Sequence, residues 1–274
     1  MQTRRPAVAG RFYPGAPDVL HDTVQRYVGD ADVAPQPDRV MAVIAPHAGY
    51  PYSGATAGHA FRRLLGMRPR RVVILGPSHY FRFPGLSIAN RGQWETPLGA
   101  VPIDEAFADR LVGAFGTHRA DAHDPEHALE VELPFLQHVL GPGFSIVPVL
   151  LGGGLEDSNE ELAAFLARHL DPGDLVVAST DLSHFLSESE ANVIDRESLG
   201  RVVAGDPEYL RRGFRDQACS MCGAAAVLTA LRAANLARAT DRHLWDYRTS
   251  GRASGDSSRV VGYGGLTLER PPVA

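Results

Sequence analysis

The chain has 274 residues, 44% hydrophobic and 22% charged, which is typical of a globular protein rather than a disordered one. Its net charge of −5 argues against a nucleic-acid or anionic-membrane partner, because phosphate binding needs clustered Lys and Arg in excess. No apolar run reaches the roughly 18 residues that cross a bilayer, and the first residues lack the apolar stretch of a signal peptide. Since only two cysteines occur, we expect a cytoplasmic protein without disulfides.

Short runs rich in Val, Ile and Leu predict four buried strands, at residues 40–45, 71–75, 145–151 and 174–178. Segments with helical spacing lie between and after these strands, at residues 55–65, 104–115, 127–140, 159–169 and 223–235. A hairpin or an edge excursion is predicted at 93–102 and a last strand at 260–268. This alternation predicts an α/β fold with one mainly parallel or mixed sheet flanked by helices. No linker-like segment interrupts it, so we expect a single domain over residues 1–274.

Three histidines follow three of these predicted strands. His47 comes after the strand at 40–45, His79 after the strand at 71–75, and His184 after the strand at 174–178. Ligands of open α/β sheets bind outside the carboxyl ends of the strands, so we expect these side chains to converge on one polar pocket. Histidine is the commonest metal ligand and also the usual acid or base near neutral pH. The sequence therefore predicts a site for metal binding or proton transfer at this edge.

Two further residues beside these histidines carry suitable chemistry. Asp181 lies three residues before His184, where it would orient a ligand or accept a proton, with a helix N-cap as an equal alternative. Cys222, which follows Cys219 in a Cys-x-x-Cys pair, directly precedes the predicted helix at 223–235. A helix N-terminus lowers the pKa of a thiol and so favours the thiolate that binds metals. The alternative for Cys222 is a small buried residue that packs against the start of the helix.

A His-x-x-Glu-His pattern at residues 123–127 matches one found on a continuous helix in certain zinc proteases. Pro125 is best tolerated in a first helical turn, so we expect Asp124 to be an N-cap and His123 to lie outside the helix at 127–140. We therefore interpret the segment as a structural helix, with His127 as a candidate to line the pocket.

Together, these motifs resemble the Memo family, whose microbial members are called AmmeMemoRadiSam system protein B. The likeness runs through nearly the whole chain in the same order, although Phe12 stands where many members carry Trp. The segments that carry it are AVAGRFYP (7–14), PHAGY (46–50), GPSH (76–79), TPLG (96–99), EHALEVELPF (126–135), STDLSH (179–184), CG (222–223), SGD (254–256) and VVGY (260–263).

The resemblance implies a fold similar to that of class III extradiol ring-cleaving dioxygenases, and it implies a role for each site residue. His47, His79 and Cys222 would be the metal ligands. His184, with Asp181 beside it, would serve as acid and base. The expected substrate contacts are Phe12, Tyr13, Tyr50 and His127, with ordinary packing an equal alternative for the two tyrosines.

A cysteine takes the place of the carboxylate ligand that those dioxygenases use. A thiolate is softer and favours Fe(II), Cu(I) or Zn(II). One hypothesis is therefore an oxidoreductase with one metal ion, Fe(II) favoured and Cu or Zn as alternatives. The other is a non-catalytic module that binds a metal or a peptide. The expected ligand is a small molecule or peptide, and family association implies radical-SAM and AMMECR1-like proteins as partners.

Overall fold

The fold is that of a computed structural model, and the structure describes residues 2–152 and 157–272. The strands are β1 (Thr3–Arg4), β2 (Val40–Ala45), β3 (Arg71–Pro77), β4 (Leu86–Ile88), β5 (Gln93–Thr96), β6 (Gly99–Pro102), β7 (Ser145–Leu151), β8 (Leu175–Ser179), β9 (His184–Leu186), β10 (Asp241–Thr249) and β11 (Val260–Glu269). The helices are α1 (Pro17–Gly29), α2 (Tyr50–Arg62), α3 (Glu105–Phe115), α4 (Leu133–Leu140), α5 (Asp157–His169), α6 (Glu188–Ala204), α7 (Pro207–Arg215), α8 (Ala224–Leu236) and α9 (Gly251–Ser254).

The main sheet is mixed and has the strand order β10-β11-β2-β8-β3-β7-β4, with β9 paired to β11. The four central strands, β2, β8, β3 and β7, run parallel to one another, and the outer strands β11, β10 and β4 pair antiparallel to their neighbours. All residues of β2 and β8 are buried, as expected for strands that are covered on both faces. The register pairs Ala45 with Ser179 and Leu75 with Ala178, so β8 ends level with β2 and one residue before the end of β3.

Helices cover both faces of this sheet. A Cβ atom on Gly265 would meet α2, and one on the adjacent Gly264 would meet Leu199 of α6. Because successive strand residues point to opposite faces, α2 and α6 lie on opposite sides. The predicted α/β fold, a mixed sheet flanked by helices, is therefore confirmed. Within the described part of the chain, no helix is both long and apolar enough to span a membrane.

The predicted helix at 127–140 is wrong in its first half, because α4 begins only at Leu133. Pro134 lacks an N–H, and its ring would clash with the carbonyl of Glu130 if the helix extended upstream. The proline therefore sits in the first turn of α4. Because α4 begins at Leu133, Asp124 is not its N-cap, contrary to the expectation. Asp124 instead follows a short 3-10 turn at Ala120–His123.

Candidate metal centre

The site lies at the carboxyl edge of the three neighbouring strands β2, β8 and β3. His47, Asp181 and His79 each stand two residues beyond the end of their strand. Cys222 reaches the same place from the loop before α8, where its backbone N–H donates to the Asp181 carbonyl over 3.1 Å. Gly223 makes this close approach possible, since a Cβ there would lie 2.3 Å from the Ser179 carbonyl oxygen. Strand order thus brings together residues that are far apart in sequence.

His47, His79 and Cys222 offer one donor atom each, and these three atoms all lie within 4.8 Å of one another. Nε2 of His47 is 3.3 Å from Sγ of Cys222, and the two imidazole rings are 5.1 Å apart between centroids. His47 is buried, Cys222 is half-buried and His79 is exposed. The group therefore has one face in the protein and one face open to solvent.

Glu126 holds His79 in place. Its buried carboxylate accepts hydrogen bonds from the backbone N–H of His79 over 2.6 Å and from Nδ1 of the same residue over 2.8 Å. Burial alone would raise the pKa of Glu126, but the hydrogen bond and positive charge of His79 outweigh it and lower the pKa to about 2. With Nδ1–H donated to the carboxylate, the Nε2 lone pair of His79 is free to bind a ligand.

His47 is oriented by a hydroxyl instead. Its Nδ1 lies 2.7 Å from Oγ of Ser179, which is also 2.7 Å from the Ala128 carbonyl and 2.7 Å from a carboxyl oxygen of Glu132. A hydroxyl has one proton and two lone pairs. When Ser179 donates to the Ala128 carbonyl, His47 and Glu132 must both donate to Ser179. A protonated Glu132 fits, because burial, followed by the Asp181 charge, raises its pKa well above the usual value.

The thiol of Cys222 does not behave as its place before a helix suggests. Burial, and then the neighbouring Asp181 charge, raise its pKa to about 12, so the expected lowering by the helix N-terminus is wrong for the metal-free protein. Burial, reinforced by the charge of His79, likewise lowers the pKa of His47 to about 3. A neutral imidazole is the form that binds metals, whereas the thiol must lose its proton when a metal binds.

Asp181 and His184 flank this group. Asp181 accepts the backbone N–H of His47 over 2.9 Å, and its own N–H donates to Sγ of Cys222 over 3.2 Å. No helix begins at Asp181, since strand β9 follows, so the N-cap alternative is wrong. His184 is exposed, and its Nδ1 lies 2.9 Å from the Leu182 carbonyl. Because a carbonyl can only accept, Nδ1 carries the proton and Nε2 is the nitrogen that can accept one.

The four expected substrate contacts divide into two pairs. His127 stacks on His79 with centroids 4.7 Å apart, and Phe12 lies 4.8 Å from the His127 ring. Tyr13 and Tyr50 are instead buried in the core, at 3% and 1% exposed. Their hydroxyls donate to Glu130 and to the Val131 carbonyl. The structure thus brings Phe12 and His127 to the site and uses the tyrosines as packing.

A second group, made of His79, Glu126 and His127, also has donor atoms within 4.8 Å of one another. However, Glu126 already accepts four hydrogen bonds, two from His79 and one each from the N–H groups of His127 and Ala128. Its carboxylate therefore serves to order the turn, and the first group is the better candidate.

The donor set of that first group fits a transition metal. Two imidazoles and a thiolate are the ligands that Zn(II), Cu and Fe(II) accept, and three protein ligands leave at least one position open. The residues that orient these ligands, Glu126, Ser179 and Glu132, were not identified from the sequence. The only signal was that all three lie within the motifs at 126–135 and 179–184.

The chain also matches known proteins over almost its full length. Residues 4–267 match the Memo family, described as Memo-like protein. A MEMO1 family protein of Methanopyrus kandleri is 37% identical over 280 residues, covering 97% of this chain and 99% of the relative. One from Methanobrevibacter smithii is 36% identical, covering 95% and 97%. The crystal structure of an uncharacterized protein from Escherichia coli K12 aligns with a TM-score of 0.45 at 14% identity, covering 82% of this chain and 99% of that one. The sequence matches show that the chain belongs to the Memo family.

Proposed function

We propose that the protein binds one transition-metal ion through His47, His79 and Cys222, with Fe(II) favoured and Cu or Zn as alternatives. The observation that carries the proposal is the convergence of these three donor atoms within 4.8 Å. Support comes from the partners at Nδ1 of both histidines, which leave Nε2 of each ring available. The bound ion would supply Lewis acidity and, for Fe or Cu, redox chemistry.

The residues around the ligands support an oxidoreductase that acts on a small molecule. His184 is exposed, and with Nδ1 directed at the Leu182 carbonyl its Nε2 would take a proton from a bound ligand. Asp181 fixes the backbone of His47 and so positions one ligand. Phe12 and His127 would contact the substrate from the side of His79. Partnership with radical-SAM and AMMECR1-like proteins, and a cytoplasmic location, stay predictions that co-purification and fractionation would test.

Metal analysis of protein purified without oxygen tests the metal site. We expect one ion per chain in the wild type and loss of that ion in His47→Ala and in Cys222→Ser. Cys219→Ser is the matched control, because Cys219 is a buried cysteine of the same loop outside the donor group. If the wild type holds no metal and takes up none of Fe(II), Cu(I) or Zn(II) on titration, the proposal fails.

Oxygen consumption by the metal-loaded protein separates the two hypotheses about activity. Turnover with catechols that depends on His184 supports an oxidoreductase. A metal-loaded protein that consumes no oxygen with them supports a non-catalytic metal-binding module.

A further inference from the structure

A cavity of about 320 Å³ lies directly beside the candidate metal centre. Its walls come from the ends of β3 and β7, from α7 and from the loop that leads into α8. Cys222 belongs both to this cavity and to the donor group, so the two spaces adjoin at this residue. The apolar side chains that line the cavity include Pro77, Leu151, Phe214, Met221 and Ala224.

Most of the side chains that line the cavity are apolar. None of the described residues that line it carries a charge, and Ser220 supplies its one hydroxyl group. Polar groups at the site are instead concentrated around His79 and His184, on the other elements of the strand edge. A ligand that fills both spaces must therefore have one end that binds through donor atoms and another that is hydrophobic.

The volume sets the size of that hydrophobic end. Ligand pockets usually measure roughly 300–1,000 Å³, so this cavity suits only a small ligand. An apolar cavity of about 150 Å³ is already enough to hold benzene. The space beside Cys222 therefore has room for a single ring with its substituents.

We infer that this cavity binds the ring-sized apolar part of a small molecule whose oxygen donor end reaches the metal. The inference rests on the proposed metal site and names the class of its ligand. The apolar ring of this ligand lies in the cavity beside Cys222. Its oxygen donors lie at the solvent-exposed side of the group formed by His47, His79 and Cys222.

Two hydroxamic acids test this inference, because they share one chelating group and differ in the ring. The protein is loaded with the ion that the titration above identifies, and the affinities for benzohydroxamate and acetohydroxamate are measured by calorimetry. Burial of a phenyl group predicts that benzohydroxamate binds about ten- to a hundredfold more tightly.

Filling the cavity should remove this preference. In Ala224→Phe, a half-buried residue of the cavity wall gains a ring, and we expect the two affinities to become equal within about threefold. Ala237→Phe is the matched control, since this half-buried alanine lies at the opposite end of α8 and outside the cavity. The control should keep the wild-type preference. Ala225→Leu, a milder change in the same wall, gives a second variant if Ala224→Phe does not fold, and it should reduce the preference.

The outcomes separate the two proposals. Failure of the wild type to bind any of the three ions contradicts the metal site itself. Metal binding without a preference for benzohydroxamate overturns the inference alone. A preference that persists in folded, metal-loaded Ala224→Phe and Ala225→Leu also overturns it, because the ring would then lie elsewhere.

Discussion

The rings of His47 and His79 lie 5.1 Å apart between centroids. Their Nδ1 atoms nevertheless have partners of different charge, a carboxylate for His79 and a hydroxyl for His47. The exposed His79 donates to Glu126, a charged carboxylate whose pKa is lowered to about 2. The buried His47 meets the Ser179 hydroxyl, which is backed by a Glu132 side chain with a raised pKa. The Nδ1 partner is therefore a charged carboxylate at the exposed histidine and a neutral hydroxyl at the buried one.

This difference shows that burial determines which kind of group can orient a histidine ligand. An ionised carboxylate makes His79 a stronger electron donor to a metal, because it favours positive charge on the ring. An ionised carboxylate at Nδ1 of the buried His47 would have to be desolvated without a cation beside it, at a large cost. Ser179 orients His47 without that cost.

Removing Arg4 should have the largest effect, because Arg4 anchors the turn that carries Glu126. Its guanidinium donates to the carbonyls of His123 and Glu126 and to the buried Glu130 carboxylate. Arg4→Met leaves Glu130 as an unpaired buried charge, and we expect a loss of about 3–5 kcal/mol in the free energy of unfolding. Urea denaturation measures it, with the exposed Arg5→Met as control. A loss below about 1 kcal/mol would contradict this anchoring role.

Replacing Glu126 removes the charged partner of His79. Glu126→Gln removes the charge and leaves donors of His79, His127 and Ala128 incompletely satisfied, so we expect a loss of about 2–4 kcal/mol in stability. Metal affinity should fall about 10- to 100-fold. Chemical denaturation and metal titration measure the two effects. The exposed Glu161→Gln serves as control, and unchanged metal affinity in Glu126→Gln would show that His79 needs no charged partner.

Replacing Ser179 removes the neutral partner of His47. Ser179→Ala leaves Nδ1 of His47 and the Ala128 carbonyl without this partner, which predicts a loss of about 1–3 kcal/mol in stability. We also expect the pattern of ring protons of His47 in NMR spectra to change, because its tautomer is no longer fixed. Ser189→Ala, on the exposed face of α6, is the control. A fixed Nδ1–H tautomer in Ser179→Ala would argue against orientation by the hydroxyl.

Replacing Glu132 should have the smallest effect near pH 5, below about 1 kcal/mol, because Gln resembles a protonated carboxyl. The folded protein keeps this proton above pH 4.5, where the unfolded chain loses it, since burial raises the pKa of Glu132. Wild-type stability therefore falls as pH rises, by at most about 1.4 kcal/mol per pH unit from this group. Glu132→Gln removes that loss.

Unfolding measurements from pH 5 to pH 8 check this prediction. Glu132→Gln should gain stability relative to the wild type as the pH rises. A difference that stays constant over this range, or changes in favour of the wild type, would mean that Glu132 is ionised in the folded protein.

Several features follow from the sequence alone because their causes are local. Runs of Val, Ile and Leu predicted β2, β3, β7 and β8 to within two residues, since a buried parallel strand needs such a run. Their ends placed His47 and His79 at one edge. Helices α1, α6 and α7 and strand β10 were not predicted, although Ser187 forms a capping box at the start of α6. Pro134 likewise marked the start of α4.

Only the tertiary structure decided which groups surround the ligands. Glu126 meets His79 across 47 residues, and Ser179 meets His47 across 132, so no local pattern reports either pair. Burial also reversed an expectation about Cys222, whose place before a helix suggested a lowered pKa. The sequence by itself indicated which side chains can act as metal ligands. Solvent exclusion at the edge of the assembled sheet determined their protonation and orientation, because the cost of a charge depends on its whole surroundings.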